Sequence, residues 1–465
     1  MKKPLPLILL LVLVLGLPAA YFWIGLRAER VMEDQRLRLA DQYGARLVLQ
    51  EKDRGVFTGT YRYALTFDAP MPAAAGAPPA QPITLDLVAV VHHGPIPLTQ
   101  GGFTPALAVV DTTLAPRTGT PPAAAALLEA LPDLRRTTLR TTFGFSGDSR
   151  TKLAVPPAKG PVRLADGTVL DIQWQGATGT CDATAEAASI DLALSVPLLV
   201  VADKASTTTL QGLSLAGHST LSGQNLYLGD STLTLTGLRL ENAAPAGPSF
   251  ALTNLEVAAS NGRQNEVVDT TMTLRASGLD LKTQAKGGLD AAFSLKNLDA
   301  VALDATLGEV RRINGQPATP EARTQELTTL FLRQAGPLFS KKPRLSVDRL
   351  ALTLPSGTVD VSGFVAYSGE GPLPANPLES LGRFSASATA RAPRATLVEI
   401  LAAAGSGNPA LAGPPARGQA EAVLDGLAAQ GFVVRQDDGL FTVADWDGKT
   451  LMVNGRSLFQ LPDRP

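Results

Sequence analysis

From Pro4 to Leu26 the chain reads PLPLILLLVLVLGLPAAYFWIGL, without a single charged residue. At about 1.5 Å of rise per residue, such a run reaches roughly 34 Å as a helix, enough to cross a hydrocarbon core of about 30 Å. It therefore predicts a single transmembrane helix over residues 4–26. Lys2 and Lys3 immediately precede it, and the positive-inside bias leaves residues 1–3 as a cytoplasmic tip and sends the rest of the chain across the membrane. The competing reading is a cleaved signal peptide, which wants small residues at −3 and −1. Cutting after Ala20 puts Pro18 at −3, and cutting after Ala19 puts Leu17 there. The apolar run also continues through Tyr21, Phe22, Trp23 and Ile24, an aromatic group suited to the headgroup boundary. No lipoprotein cysteine follows, since the sole cysteine is Cys181.

Composition narrows what the exported part does. Lys and Arg number 41 against 42 Asp and Glu, so nothing attracts nucleic acid. Aromatic residues make up 5%, too few for the stacking platforms that single strands or sugars need. One cysteine excludes an intrachain disulfide, and Cys181 reads as a small hydrophobe rather than a reactive thiol. Hydrophobic residues at 45% of 465 positions supply a sizeable core.

Residues 27–45 contain good helix formers up to Gln42, with charges of alternating sign, and predict a juxtamembrane helix. Its thin apolar stripe of Val31, Leu37 and Leu39 suits a stalk, or a partner helix from a second copy. From Arg46 the character is β. Alternation through Leu47 and Leu49, then Gly55 to Tyr63 with β-branched and aromatic residues, reads as a hairpin. Ile83 to Val91 carries an apolar residue at every odd position and ends in His92-His93-Gly94-Pro95.

Three stretches together resemble a known family. Asp53-Arg54-Gly55-Val56-Phe57-Thr58-Gly59-Thr60-Tyr61, His93-Gly94-Pro95 closing a strand, and Asp447-Gly448-Lys449-Thr450-Leu451-Met452-Val453-Asn454-Gly455-Arg456 look like the YdgA-like family of bacterial envelope proteins, catalogued as a domain of unknown function. The resemblance covers nearly the whole chain. It implies an inner-membrane anchor and a periplasmic β-rich body, and brings no catalytic residue with it.

The remaining chain predicts a short helix over Pro121–Leu131, with Pro132 as its stop. Between Ser189 and Lys296 leucines recur in pairs around a Gly or Asn, as in Leu210-Gln211-Gly212-Leu213, Leu235-Thr236-Gly237-Leu238 and Leu252-Thr253-Asn254-Leu255. The extra residue shifts the alternation by one, so a bulge or turn must sit there if one face is to stay buried. These strands have one apolar and one wet face, and burying each Leu or Val is worth about 2 kcal/mol. The expected cover is amphipathic helix. Thr319-Pro320 caps one with Leu327, Leu330 and Phe331; Leu397, Ile400 and Leu401 mark a second; Ala420, Val423, Leu424 and Leu427 mark a third. Leu345 to Tyr367 is a further β segment, and Phe432 to Leu461 predicts three short strands joined at Asp438-Gly439, Asp447-Gly448 and Asn454-Gly455.

The fold expected is thus mainly β with flanking helices, α+β in class. A single N-terminal transmembrane helix precedes a large, elongated, mostly antiparallel twisted sheet covered by a few amphipathic helices. Its divisions are a β-rich region at 46–296, a mixed region at 297–431 and a β-meander at 432–465.

Candidate chemistry is sparse. Gly217-His218-Ser219 lacks the second glycine of a nucleophile elbow, Leu221 standing in its place. His92 and His93 are adjacent on a strand and face opposite ways, so they cannot grip one metal. Gly405-Ser406-Gly407 imitates a dinucleotide fingerprint but follows a helix and reads as a linker. Asp445-Trp446-Asp447-Gly448 lacks the remaining ligands of a calcium loop and reads as a hairpin turn. Arg54 either pairs with a carboxylate inside the family motif or is an exposed turn arginine. The expectation is therefore no catalytic, cofactor-binding or metal residue and no cofactor. It describes a non-enzymatic, inner-membrane-anchored periplasmic protein that binds or scaffolds, in contact with membrane lipid through residues 4–26, and as a homo-oligomer. The alternative is lipid handling, with an acyl ligand in an apolar sheet groove; the two differ in whether helices roof that face.

Overall fold

Strand alternation dominates the chain, and the protein is mainly β: its ladders are antiparallel, with a few helices attached. The computed structural model describes residues 21–30, 46–67, 83–99, 105–115, 122–164, 167–243, 249–280, 286–316, 319–369, 377–405, 416–437 and 439–461. The chain forms two compact units. The first comprises Met1–Lys204, Ser214–Leu221 and Gly308–Leu327; the second comprises Ala205–Leu213, Ser222–Leu307 and Thr328–Pro465.

The first unit opens with helix α1, residues 21–30. Strands β1 (Arg46–Arg54), β2 (Thr58–Phe67), β3 (Ile83–His93), β4 (Ala108–Ala115), β5 (Thr138–Phe143) and β6 (Ser149–Val155) pair in succession. Helix α2 (Pro122–Ala130) lies between β4 and β5, ended by Pro132 as its sequence predicts. Its Ala126, Leu127 and Ala130, with Leu131 just after the helix, pack on Ala158 and Val162 of the hairpin of β7 (Ala158–Arg163) and β8 (Val169–Trp174). Beyond β6 come β9 (Ala177–Ala183) and β10 (Ser189–Ala202), whose second half pairs with β8. Strand β11 (Ser206–Leu221) divides its residues between the units.

α1 closes the core of this unit. Ala28 packs fully buried on Tyr61, Ala89, Val91, Ala108, Val110 and Phe143, with Ile24 alongside. A Cβ on Gly25 would lie 2.8 Å from His93 Nδ1, so glycine lets helix and sheet approach closely here. Residues 4–20 of the expected membrane helix lie outside the described residues. Of its last turns, Tyr21, Ile24 and Gly25 sit on protein, while Phe22 and Trp23 stay exposed: Tyr21 is buried, its hydroxyl donating to the Ile96 carbonyl at 2.6 Å. Among the described residues no helix is long and apolar enough to cross a membrane. The expected 27–45 helix is described as far as residue 30.

The second unit is a meander. β12 (Tyr227–Asn242), β13 (Phe250–Gln264), β14 (Val267–Asp280), β15 (Lys286–Asp299), β16 (Arg344–Leu354), β17 (Gly357–Tyr367) and β18 (Phe384–Pro393) pair in order. β19 (Val434–Gln436) and β18 both pair with β20 (Gly439–Trp446), which leads through β21 (Thr450–Val453) to β22 (Arg456–Gln460). The helices are α3 (Ala300–Gly315) and α4 (Pro320–Phe339), both divided between the units because Gly308–Leu327 belongs to the first, and the short α5 (Pro377–Leu381), α6 (Arg394–Gly405) and α7 (Ala416–Ala429). The C-terminal segment thus holds four strands rather than the three expected, since its three turns join four stretches, and they extend this sheet.

The irregularities expected at Gly212 and Asn254 are present, whereas β12 and β13 keep one register through Gly237. Gly212, Asn254 and Asn297 have φ of 63°, 49° and 62°, and the β14–β15 register shifts between Val268 and Thr270 and again between Ala276 and Leu279. β16 bulges at Asp348-Arg349, so Val347 and Leu350 stay on one face although their parity differs. Asn454 and Gly455, both at positive φ, close the β21–β22 turn as that dipeptide predicts.

α3, which sequence periodicity missed, starts where β15 ends. Asp299 accepts from the Val301 and Ala302 amides at 3.1 and 2.9 Å, a side-chain N-cap.

Candidate functional site

Registering the strands of the second unit separates its two faces. One row crosses the sheet as Glu256, Arg275, Asp290, Ala351, Asp360 and Arg391. Arg349 bridges Asp290 at 3.2 Å and Asp360 at 4.0 Å, and Arg275 reaches Asp290 at 3.5 Å. Exposed pairs of this kind are worth at most about 1 kcal/mol each; what they establish is that this face is wet.

The opposite face is apolar. Met272, Phe293, Val347, Gly363, Ala388 and Ala444 form one row, and Leu295, Leu345, Val365, Ala386, Trp446 and Leu451 the next. Helices meet this face at strand ends. α3 packs Leu303 and Leu307 on Leu228, Val268 and Leu298. Phe339, at the end of α4, stands against Tyr367 and Phe384 with ring centroids 5.3 and 6.3 Å away. At the far ends of β18 and β20, α6 and α7 bury Val398, Ala420 and Leu424 around Leu440. The helical roof expected from the sequence thus covers the margins. Between them, Leu345 is 54% exposed, Val365 45% and Met272 39%, with no described element over them.

This stretch is hollow as well as apolar. A depression of about 310 Å³ is lined by Leu345, Val347, Val361, Val365, Trp446 and Leu451, at the low end of the range for ligand sites, about 300–1,000 Å³. Its floor is made of the smallest side chains, Gly363, Ala388 and Ala444, aligned across β17, β18 and β20. A Cβ on Gly363 would come within 2.6 Å of the Ser387 carbonyl oxygen, so no larger residue fits there without moving the neighbouring strand. Trp446 walls one side, its indole N–H donating to the Leu381 carbonyl at 3.2 Å. The hollow lies beyond the leucine rows that start at Leu210, on strands from Leu345 onward. The signal for its actual position is the small-residue alternation of β17, β18 and β20.

The family-motif residues do something different: they stitch. Arg54 pairs with Glu29 of α1 at 3.2 Å, lies over the Phe22 ring and donates to the Phe22 carbonyl at 3.1 Å. This answers the carboxylate question with a partner outside the motif. Glu29 also accepts from the Tyr61 hydroxyl at 2.6 Å and from Lys52 at 3.0 Å. Burial pushes the Glu29 carboxyl up, but these hydrogen bonds and the Lys52 and Arg54 charges outweigh it and hold it below its ordinary value. Burial and the Glu29 hydrogen bond push the Tyr61 phenol well up. His93 is fully buried and donates from Nδ1 to the Val56 carbonyl at 2.9 Å. At the C-terminal motif, Asn454 accepts from the Val443 amide and donates to the Gly431 and Phe432 carbonyls.

The other candidates are dispersed. His92 faces away from His93 and meets Asp111 at 3.6 Å, where Arg140 also binds through two nitrogens. His218 contacts Asp191 across exposed strands at 2.7 Å. Burial, then Asp182 and Asp191, push the Cys181 thiol up. Asp447 accepts from the Thr450 and Lys449 amides, which hold its carboxyl below the usual range and make it a turn residue. Gly405 ends α6, and residues 406–415 lie outside the described residues. Among the described residues no group of three or more His, Cys, Asp or Glu is placed to hold a metal.

Fold and site together define a mainly β protein with an open apolar sheet face. The chain belongs to the DUF945 family, described as bacterial protein of unknown function, whose model matches residues 1–459. No curated protein and no solved structure matches it.

Proposed function

We propose that this is a non-enzymatic lipid-handling protein of the YdgA-like envelope type, tethered in the inner membrane through its apolar N-terminal run, with its body in the periplasm. The second unit takes acyl chains along its open face. The carrying observation is the hollow between the helices at its margins, where leucine and valine side chains stay about half exposed over a floor of glycine and alanine. An acyl chain laid there removes apolar surface from water on both sides, at about 0.8 kcal/mol per buried methylene. The absence of charged groups from the hollow's lining favours the hydrocarbon part of a lipid over a polar ligand.

Scaffolding between copies is the second reading. It is favoured by β22, a terminal strand paired with β21, on which Leu458 and Phe459 are 48% and 50% exposed. Extraction of the purified full-length chain, followed by mass spectrometry, separates the two. Lipid handling predicts acyl lipid near one molecule per chain surviving exhaustive detergent exchange; lipid-free protein that self-associates would support the scaffold.

A further inference from the structure

The hairpin ends of the first unit meet at one end of its sheet. Register places them together: Thr58 pairs with His92, His93 with Ala108, Ala108 with Phe143, and Phe143 with Ser149. The β1–β2 turn, the loop after β3 and the β5–β6 turn therefore project from the same end, where Tyr21 of α1 also lies. Tyr21 ties them, its ring edge-on to Phe57 at 4.9 Å and its hydroxyl on Ile96, while Arg27 reaches the Phe145 carbonyl at 3.4 Å.

These tips are greasy. Val56 and Phe57 in the first turn are 39% and 44% exposed, Ile96 and Leu98 in the second 40% and 60%, and Phe145 in the third 44%, with Trp23 of α1 at 72%. Turns ordinarily carry polar residues, and large apolar side chains gathered at one end of a domain mark an interaction surface.

We infer that this end of the first unit rests directly in the membrane interface, so that Trp23, Phe57, Leu98 and Phe145 seat the folded body on the lipid surface instead of leaving it on a stalk. The occupant follows from where the chain goes. Pro4–Ala20, which precedes Tyr21 in the chain, carries no charge. As a helix that segment reaches roughly 25 Å, short of the hydrocarbon thickness of about 30 Å. Because Tyr21, Gly25 and Ala28 hold one face of α1 on the sheet, the mismatch is met by drawing this end of the unit onto the bilayer, where aromatic and aliphatic tips belong. Arg27, exposed beside the tips, suits the headgroup level. The inference shares the anchor with the proposed function and is independent of the groove.

Spin labels on the full-length chain test it. With Cys181→Ala as background, Phe57→Cys, Leu98→Cys and Phe145→Cys report the tips, and Thr113→Cys, exposed toward the other end of β4, reports bulk water. In vesicles of phosphatidylethanolamine and phosphatidylglycerol, at least two tip labels should collide several-fold less with an aqueous nickel chelate than the Thr113 label does, and more with oxygen. Fewer than two shielded tips, on protein that still sediments with the vesicles, overturns the seating while leaving the anchor. Protein that does not sediment removes the anchor and the seating together.

Discussion

Ala388→Trp should abolish acyl-chain binding while leaving the fold intact. Ala388 lies between Gly363 and Ala444 on the floor of the hollow and is itself exposed, so an indole there fills the ligand's space without entering a packed core. Displacing a chain of several methylenes at about 0.8 kcal/mol each removes more than the 1.4 kcal/mol that corresponds to a factor of ten. Titration with a fluorescent fatty acid should therefore show Kd rising at least about tenfold, with an unchanged circular dichroism spectrum. Glu256→Trp, on the wet face, should bind as the parent does. Equal affinity in all three proteins would mean that the chain binds elsewhere or not at all.

Gly25→Val should release α1. Its Cβ would meet His93 Nδ1 and Cε1 at 2.8 and 2.9 Å, and His93 cannot retreat, being fully buried and bonded to Val56. Overpacking of this kind costs about 1–3 kcal/mol. Since 1–2 kcal/mol changes a populated ratio about 5- to 30-fold, trypsin cleavage at Arg27 and Arg30 in membrane-reconstituted protein should accelerate by about that factor. Gly262→Ala, where a Cβ meets nothing within 4 Å, should leave the cleavage rate unchanged. An unaltered rate in Gly25→Val would show that α1 does not depend on the close approach.

Much of the fold was legible because its signals are local. The glycine and asparagine interruptions announced backbone irregularities at Gly212 and Asn254, both at positive φ, though Gly237 shows none, since a period-two pattern that slips by one cannot otherwise keep its face. Pro122 and Thr319 marked α2 and α4, the Thr319 hydroxyl accepting from the Ala322 amide at 3.2 Å. α3 was hidden because β15 runs straight into it, and its one start signal is Asp299.

The docking of Tyr21 to Leu26 was illegible for a different reason. A uniformly apolar run cannot say which of its turns face lipid and which face protein; the spacing of Tyr21, Gly25 and Ala28 along one helix face was the available hint. Likewise, alternation identifies an apolar sheet face but not whether helices reach across it. α6 and α7 have apolar stripes, yet they spend them on each other and on Leu440, leaving Leu345 and Val365 open.

The most direct measurement places a photo-crosslinking amino acid at Val365, and in a separate protein at Glu256, in intact cells. The account predicts adducts with the mass of membrane phospholipid at Val365 and none at Glu256. Polypeptide adducts alone at Val365, or lipid adducts equally at both positions, would contradict it.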